Sequence, residues 1–308
     1  MSETLRFSDA MRALTPPDDA GDAAWRAAFA ALAELALNRA TLYAQGVAHR
    51  ITEVEFYYRG PGHEDPFTHD DPAQERFGAW YFHRAGSGYR GGSYKGVDVA
   101  LGGPRARGGM LVRGLATRAH GGALIDGPCR VVDHVLALAG ATSIAALAAR
   151  FDLSVDAPLE APSPLWVAHC AEGDARAVYA TPRVGLSLQR GGTEARNRFV
   201  ARGYRFLTEP ARTKKGRAHT VVGLHRAGLT TARIAALTGA RERVVAGYID
   251  AYERGRARSP GDFSGALSTR ELCALFGACD ARDSGARDAI AEVTALAAEG
   301  ARGIAAPC

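Results

Sequence analysis

The sequence predicts an α+β fold: a curved antiparallel sheet domain followed by a small all-helical region. Three observations carry that prediction. From about Val47 to Leu207, apolar residues alternate in short runs broken by glycine, the period of strands rather than helices. Helical patterns flank this stretch, one before it and several beyond Pro210. Between Ala201 and Arg258, basic residues clearly outnumber acidic ones, which marks a change of character along the chain.

With 308 residues, 47% of them hydrophobic, the chain is long enough to bury a core and to hold more than one domain. The divisions read from the sequence are residues 1–210, 211–258 and 259–308. Pro16-Pro17 ends a short leader. A helix over roughly 22–42 follows, with Trp25, Phe29, Leu32 and Leu35 at helical spacing. Strands are predicted at 51–58, 78–84, 94–101, 109–115 and 202–207. Gly127-Pro128 opens a helix carrying Val131, Val132, Val135 and Leu136, with proline near its first position.

Past Pro210 a helix at 220–227 precedes a segment, 230–249, that reads as two helices around Gly239. Ile234, Ala235, Val245 and Tyr248 supply its packed face, the spacing of a helix-turn-helix. Arg241, Glu242, Arg243, Ala246 and Gly247 then face outward, with Lys214 and Lys215 at the junction. An ordinary helical hairpin with solvated arginines is the competing interpretation. Ser268-x-x-Glu271 is a capping box opening a further helix, and a last helix is predicted over 285–298.

Net charge is +5 and the isoelectric point about 9.1, a mild bias toward an anionic partner. No apolar run has the length of a signal peptide or membrane span, so a cytoplasmic, nucleoid-associated location is expected, with no membrane partner. The five cysteines (Cys129, Cys170, Cys273, Cys279, Cys308) are scattered and lack a CxxC, which suits reduced thiols.

The chemistry concentrates early. On a strand at 51–58, Glu53, Glu55 and Tyr57 share one face while Val54, Phe56 and Tyr58 share the other. Gly60-Pro61-Gly62 breaks the strand, and a polar loop brings His63, Asp65 and His69. Next, Trp80 and Phe82 alternate with Tyr81 and His83. A glycine-rich run then carries Tyr89, Arg90, Lys95 and Asp98, with Arg113 further on. A carboxylate among aromatics suits general-base activation of water. Paired aromatic faces suit clamping of a flat heterocycle, and glycines beside Tyr89, Arg90 and Lys95 suit close approach to a phosphate. His63, Asp65 and His69 form a candidate metal set whose spacing matches no well-defined site. There is no Walker loop and no Rossmann fingerprint between strand and helix.

In this order the blocks resemble the alkyladenine (3-methyladenine) DNA glycosylase family over about residues 35–210. Thr52-Glu-Val-Glu-Phe-Tyr57 resembles its strand with the catalytic glutamate and stacking tyrosine. Gly60-Pro61 and His69 resemble the following turn and histidine. Gly78-Ala-Trp-Tyr-Phe-His83 resembles the strand with the second stacking aromatic, and Tyr94-Lys-Gly-Val-Asp98 the strand with a pocket asparagine. Gly109–Arg113 resembles a strand with an arginine near that pocket, and Leu124-Ile-Asp-Gly-Pro-Cys129 the Gly-Pro helix start. Ala180-Thr-Pro-Arg-Val-Gly185 and Tyr204-Arg-Phe-Leu207 resemble the closing strands.

The resemblance implies a monofunctional enzyme acting on double-stranded DNA with an extruded base, without metal or other cofactor. Glu55 would activate water for attack at the sugar C1′, Tyr57 and His83 would sandwich the base, and His69 would hold the water, the base or a phosphate. Tyr89, Arg90, Lys95 and Arg113, with Lys214, Lys215, Arg241 and Arg243, are the expected DNA contacts. His83 stands where the family has tyrosine and Asp98 where it has asparagine, so Asp98 is expected to accept a hydrogen bond from an exocyclic amine of a different target base. The helix-turn-helix lies outside the usual family domain. The alternatives are a non-catalytic DNA-binding regulator with a glycosylase-like ligand domain, and a metal hydrolase using His63, Asp65 and His69.

Overall fold

The computed structural model describes residues 5–118, 122–157, 163–170, 176–188 and 193–283. They form two compact units. The first comprises residues 1–64 and 68–174, the second residues 65–67 and 175–308. The fold is α+β. In the first unit the order is α1 (Phe7–Leu14), α2 (Asp22–Asn38), β1 (Ala40–Ala44), β2 (Val47–Gly60), β3 (His63–Glu64), β4 (Trp80–Phe82), β5 (Arg84–Ala85), β6 (Gly88–Tyr89), β7 (Val97–Ala100), β8 (Arg107–Thr117), β9 (Leu124–Asp126), α3 (Pro128–Leu138), α4 (Ile144–Ala148) and β10 (Leu165–His169). Its main sheet runs β10-β1-β2-β8-β7-β4, with β3 on β2 and β9 on β8, and these pairings are antiparallel.

One face of this sheet is apolar and packs on α2. Phe56, Met110, Val99 and Trp80 align across β2, β8, β7 and β4, all at most 2% exposed. Trp25 stacks on Tyr58 and Phe29 on Phe56, one helical turn apart on α2 and two residues apart on β2. The helix stops at Asn38, earlier than its apolar pattern suggests, and Ala40–Ala44 turns into an edge-to-interior strand between β2 and β10. Gly127 (φ 111°) and Pro128 open α3 as the sequence predicts.

The second unit contains β11 (Tyr179–Thr181), α5 (Glu194–Val200), β12 (Arg205–Leu207), α6 (Arg217–Arg226), α7 (Thr231–Thr238), α8 (Glu242–Gly255) and α9 (Thr269–Asp280). The closing strands β11 and β12, grouped by the sequence with the first domain, pair with each other here. Arg205, fully buried, ties them to α6 through Thr181 and Thr220. Asp65 belongs to this unit and takes a bidentate bond from Arg183 at 2.7 and 3.2 Å. Ile234, Ala235 and Val245 bury against Val221 and Leu224, with Tyr248 packed alongside. Gly239 in the left-handed region (φ 64°) turns the chain between α7 and α8. The Ser268–Glu271 capping box is formed. The helix expected at 285–298 and Cys308 lie outside the described residues; Cys129, Cys170, Cys273 and Cys279 form no disulfide among the described residues. No described helix is long and apolar enough to cross a membrane.

His49 on β2 is fully buried and its Nε2 lies 2.9 Å from Nε2 of His134 on α3. Burial, and for His49 also the neighbouring His134, lowers both imidazole pKa values from 6.5. The folded chain thus refuses protons that the unfolded chain accepts, so this pair's stability contribution holds above about pH 6.5 and is lost as pH falls below it. Melting temperature measured from pH 7.5 to 5.5 should fall less steeply for His134→Gln than for wild type. Parallel profiles would contradict this account.

Candidate active site

The other face of the first unit's sheet is polar, although it too is buried. Glu55, Leu111, Asp98 and Tyr81 form one row across β2, β8, β7 and β4. Residues paired across antiparallel strands share a face, so alternation brings Tyr57, Arg113 and His83 to the same side. Glu55 is 5% exposed, Asp98 0% and Arg113 4%, which makes this a desolvated set of charges rather than a solvated rim.

Arg113 organises it. Its Nε donates to Glu53 at 2.7 Å and its Nη1 to Glu55 at 3.1 Å. The β2–β8 ladder skips Thr52 on one strand and Arg113 on the other, an irregularity that lies beside the Glu53–Arg113 pair. Burial opposes the guanidinium charge, but Glu55 and Glu53 outweigh it and hold the Arg113 pKa above its ordinary value. Glu53, for which the sequence left a supporting or a solvent-facing role, is 1% exposed and shares the arginine.

Beside this triad lies a cluster of rings around Asp98. The Tyr57 hydroxyl donates to Asp98, and the Gln74 amide donates to the Tyr57 oxygen. His83 Nε2 lies 3.0 Å from Asp98 Oδ1 and 3.2 Å from Oδ2. The partly exposed His69 ring meets Tyr57 edge-on at 5.4 Å between centroids and lies 4.2 Å from His83. Two glycines admit these groups. A Cβ on Gly109 would sit 2.7 Å from Tyr57 Oη, and one on Gly96 only 2.4 Å from the His83 ring. Burial, the Asp98 charge and its hydrogen bond raise the Tyr57 pKa well above its usual value, so the phenol keeps its proton. Burial, then the adjacent His83, lowers His69 to about 4, leaving it neutral at physiological pH.

The structure thus gathers Glu55, Tyr57, His69, His83 and Asp98, but two expectations change. Arg113, expected among the DNA contacts, is buried between Glu53 and Glu55 and clamps the two carboxylates. Asp98 has no exposed surface, and Tyr57 and His83 engage its oxygens, so it orients those side chains instead of standing open to a base amine. His63, Asp65 and His69 do not act as one set: His63 Nδ1 bonds the Tyr58 carbonyl at 2.8 Å, and Asp65 pairs with Arg183.

The remaining expected DNA contacts are dispersed. Lys95 is half-buried in an ion pair with Asp133. Tyr89 is half-buried against Phe82 under Arg84, and Arg90 Nε bonds the Arg84 carbonyl. Lys214, Lys215, Arg241 and Arg243 are exposed. Sequence reasoning missed Gln74, held by a short helix whose Asp71-Pro72 start was the available signal, and Tyr94, 72% exposed among glycine and serine. Replacing Arg113 by Met strands two buried carboxylates and should destabilise the protein by about 3–5 kcal/mol in chemical denaturation. Adding Glu53→Gln should recover part of that loss; an additive further loss would show that the three groups do not form one unit.

No family model matches the chain. Over 170 residues it is 31% identical to "Uncharacterized protein L759" of Acanthamoeba polyphaga mimivirus, an alignment spanning 51% of this chain and 77% of that protein. Identity of that level over most of the viral protein's length makes this chain a member of the same family as L759.

Proposed function

We propose that the chain is a monofunctional DNA glycosylase that extrudes a modified or damaged base and hydrolyses its N-glycosidic bond, leaving an abasic site. The observation that supports this best is a buried carboxylate, Glu55, fixed by Arg113 on the same sheet face as Tyr57, His83 and Asp98. In this reading Glu55 accepts a proton from water as the water attacks C1′, and its negative charge favours the oxocarbenium character of the sugar. Tyr57 and His83, held by Asp98, stack on the base, and the His69 ring swings aside to admit it. Tyr94, exposed, suits insertion into the vacated duplex position better than the half-buried Tyr89. The α6–α8 segment, read as a helix-turn-helix, adds phosphate contacts through Arg241 and Arg243.

One observation favours the second reading, a non-catalytic DNA-binding regulator: the His69 ring already rests against both Tyr57 and His83. Duplexes carrying diverse modified bases separate the two. Wild type should generate abasic sites on at least one duplex, and Glu55→Gln should slow this by about 10²–10⁴-fold while retaining binding. Sequence-specific binding with no base released from any duplex would instead establish the regulator. In either reading, binding should weaken with salt, and Arg241→Ala/Arg243→Ala should reduce the log–log slope by about 2.

A further inference from the structure

We propose that His69, His83 and Asp98 form a binding site for a divalent transition-metal ion, with Zn²⁺ the best-suited occupant. This inference does not rest on the glycosylase reading.

One nitrogen from each histidine and one carboxylate oxygen all lie within 4.8 Å of one another. Bonds of about 2.0–2.2 Å to Zn²⁺ put tetrahedral ligands roughly 3.3–3.6 Å apart. His83 Nε2 and Asp98 Oδ1, at 3.0 Å, are already close to that separation. His69 is the ligand that must draw in. It can do so because it lies on the loop after β3, is partly exposed, and makes no hydrogen bond among the described residues. The other two ligands come from the ordered sheet, His83 just past β4 and Asp98 within β7. Their supporting shell is present as well: Tyr57 donates to the Asp98 carboxylate, and buried Gln74 holds Tyr57. Such second-layer bonds orient ligands in metal sites. Two imidazoles and one carboxylate suit borderline ions such as Zn²⁺, Co²⁺ and Fe²⁺ rather than Ca²⁺ or Mg²⁺, and three protein ligands leave a position open to water or ligand. This is a different set from His63, Asp65 and His69, whose first two members have other partners.

The test uses untagged full-length protein, metal-stripped and titrated with ZnCl₂ by calorimetry, with Co²⁺ visible absorption as a second readout. Wild type is expected to bind one equivalent, and His69→Ala and His83→Ala should each weaken that binding by about 100-fold or more. His69→Ala is the safer variant because its loop position spares the sheet, and circular dichroism melts check its folding. His134→Ala serves as the control for the buried His49–His134 pair and should leave the equivalent intact. No stoichiometric binding by wild type overturns the proposal, as does binding that survives folded His69→Ala or disappears in His134→Ala. Because the readout is metal alone, loss of this site leaves the base-excision experiment unaffected, and failure of base excision leaves this one standing.

Discussion

Everything on the polar face of the first unit depends on one guanidinium. Arg113, Glu53 and Glu55 are each nearly inaccessible to water, and burying any one of them alone would cost several kcal/mol. Together they are tolerable because the arginine's planar fork reaches both carboxylates at once. The backbone is irregular at the same place. Regular pairing of β2 with β8 gives way around Thr52 and Arg113, and the Arg113 carbonyl receives the N–H of Gly127, which opens α3. A charge cluster, a bulged ladder and a helix start are therefore one construction.

The ring cluster next to it is built on a different principle, the omission of side chains. Tyr57 leans across the place where Gly109 has no Cβ, and His83 occupies the space beside Gly96. Close approach fixes which groups can meet: the phenol and the imidazole both end at Asp98, and neither can turn away without breaking a buried hydrogen bond. His69 makes no such hydrogen bond among the described residues and is partly exposed.

Much of this was legible in the sequence, for identifiable reasons. Alternation over 51–58 set Glu55 and Tyr57 apart from Phe56 and Tyr58, because a two-residue period survives in any sheet with one apolar face. Gly127-Pro128, the Ser268–Glu271 box and Gly239 marked element ends through local chemistry that tertiary context did not overrule. Other features need partners distant in sequence. Ala40-Thr-Leu-Tyr-Ala44 continues a helical apolar pattern and becomes a strand only because β2 and β10 flank it. The role of Arg113 is invisible without the acids 58 and 60 residues away, so it read as a DNA contact near the pocket. Asp98 looked available as an acceptor because neither of its bonding partners is adjacent to it in sequence.

The imbalance within this buried set has a consequence of its own. Three buried acidic side chains, Glu53, Glu55 and Asp98, lie on the sheet face that also carries the Arg113 guanidinium. In a poorly polarisable interior an excess of acidic over basic groups is weakly screened, so it would favour a positively charged guest over an anion. That preference is indifferent to the name of the guest. In both proposals above the guest would carry positive character, as an oxocarbenium-like sugar or as a metal ion. A face built this way would select the sign of a ligand before any particular contact selects its shape.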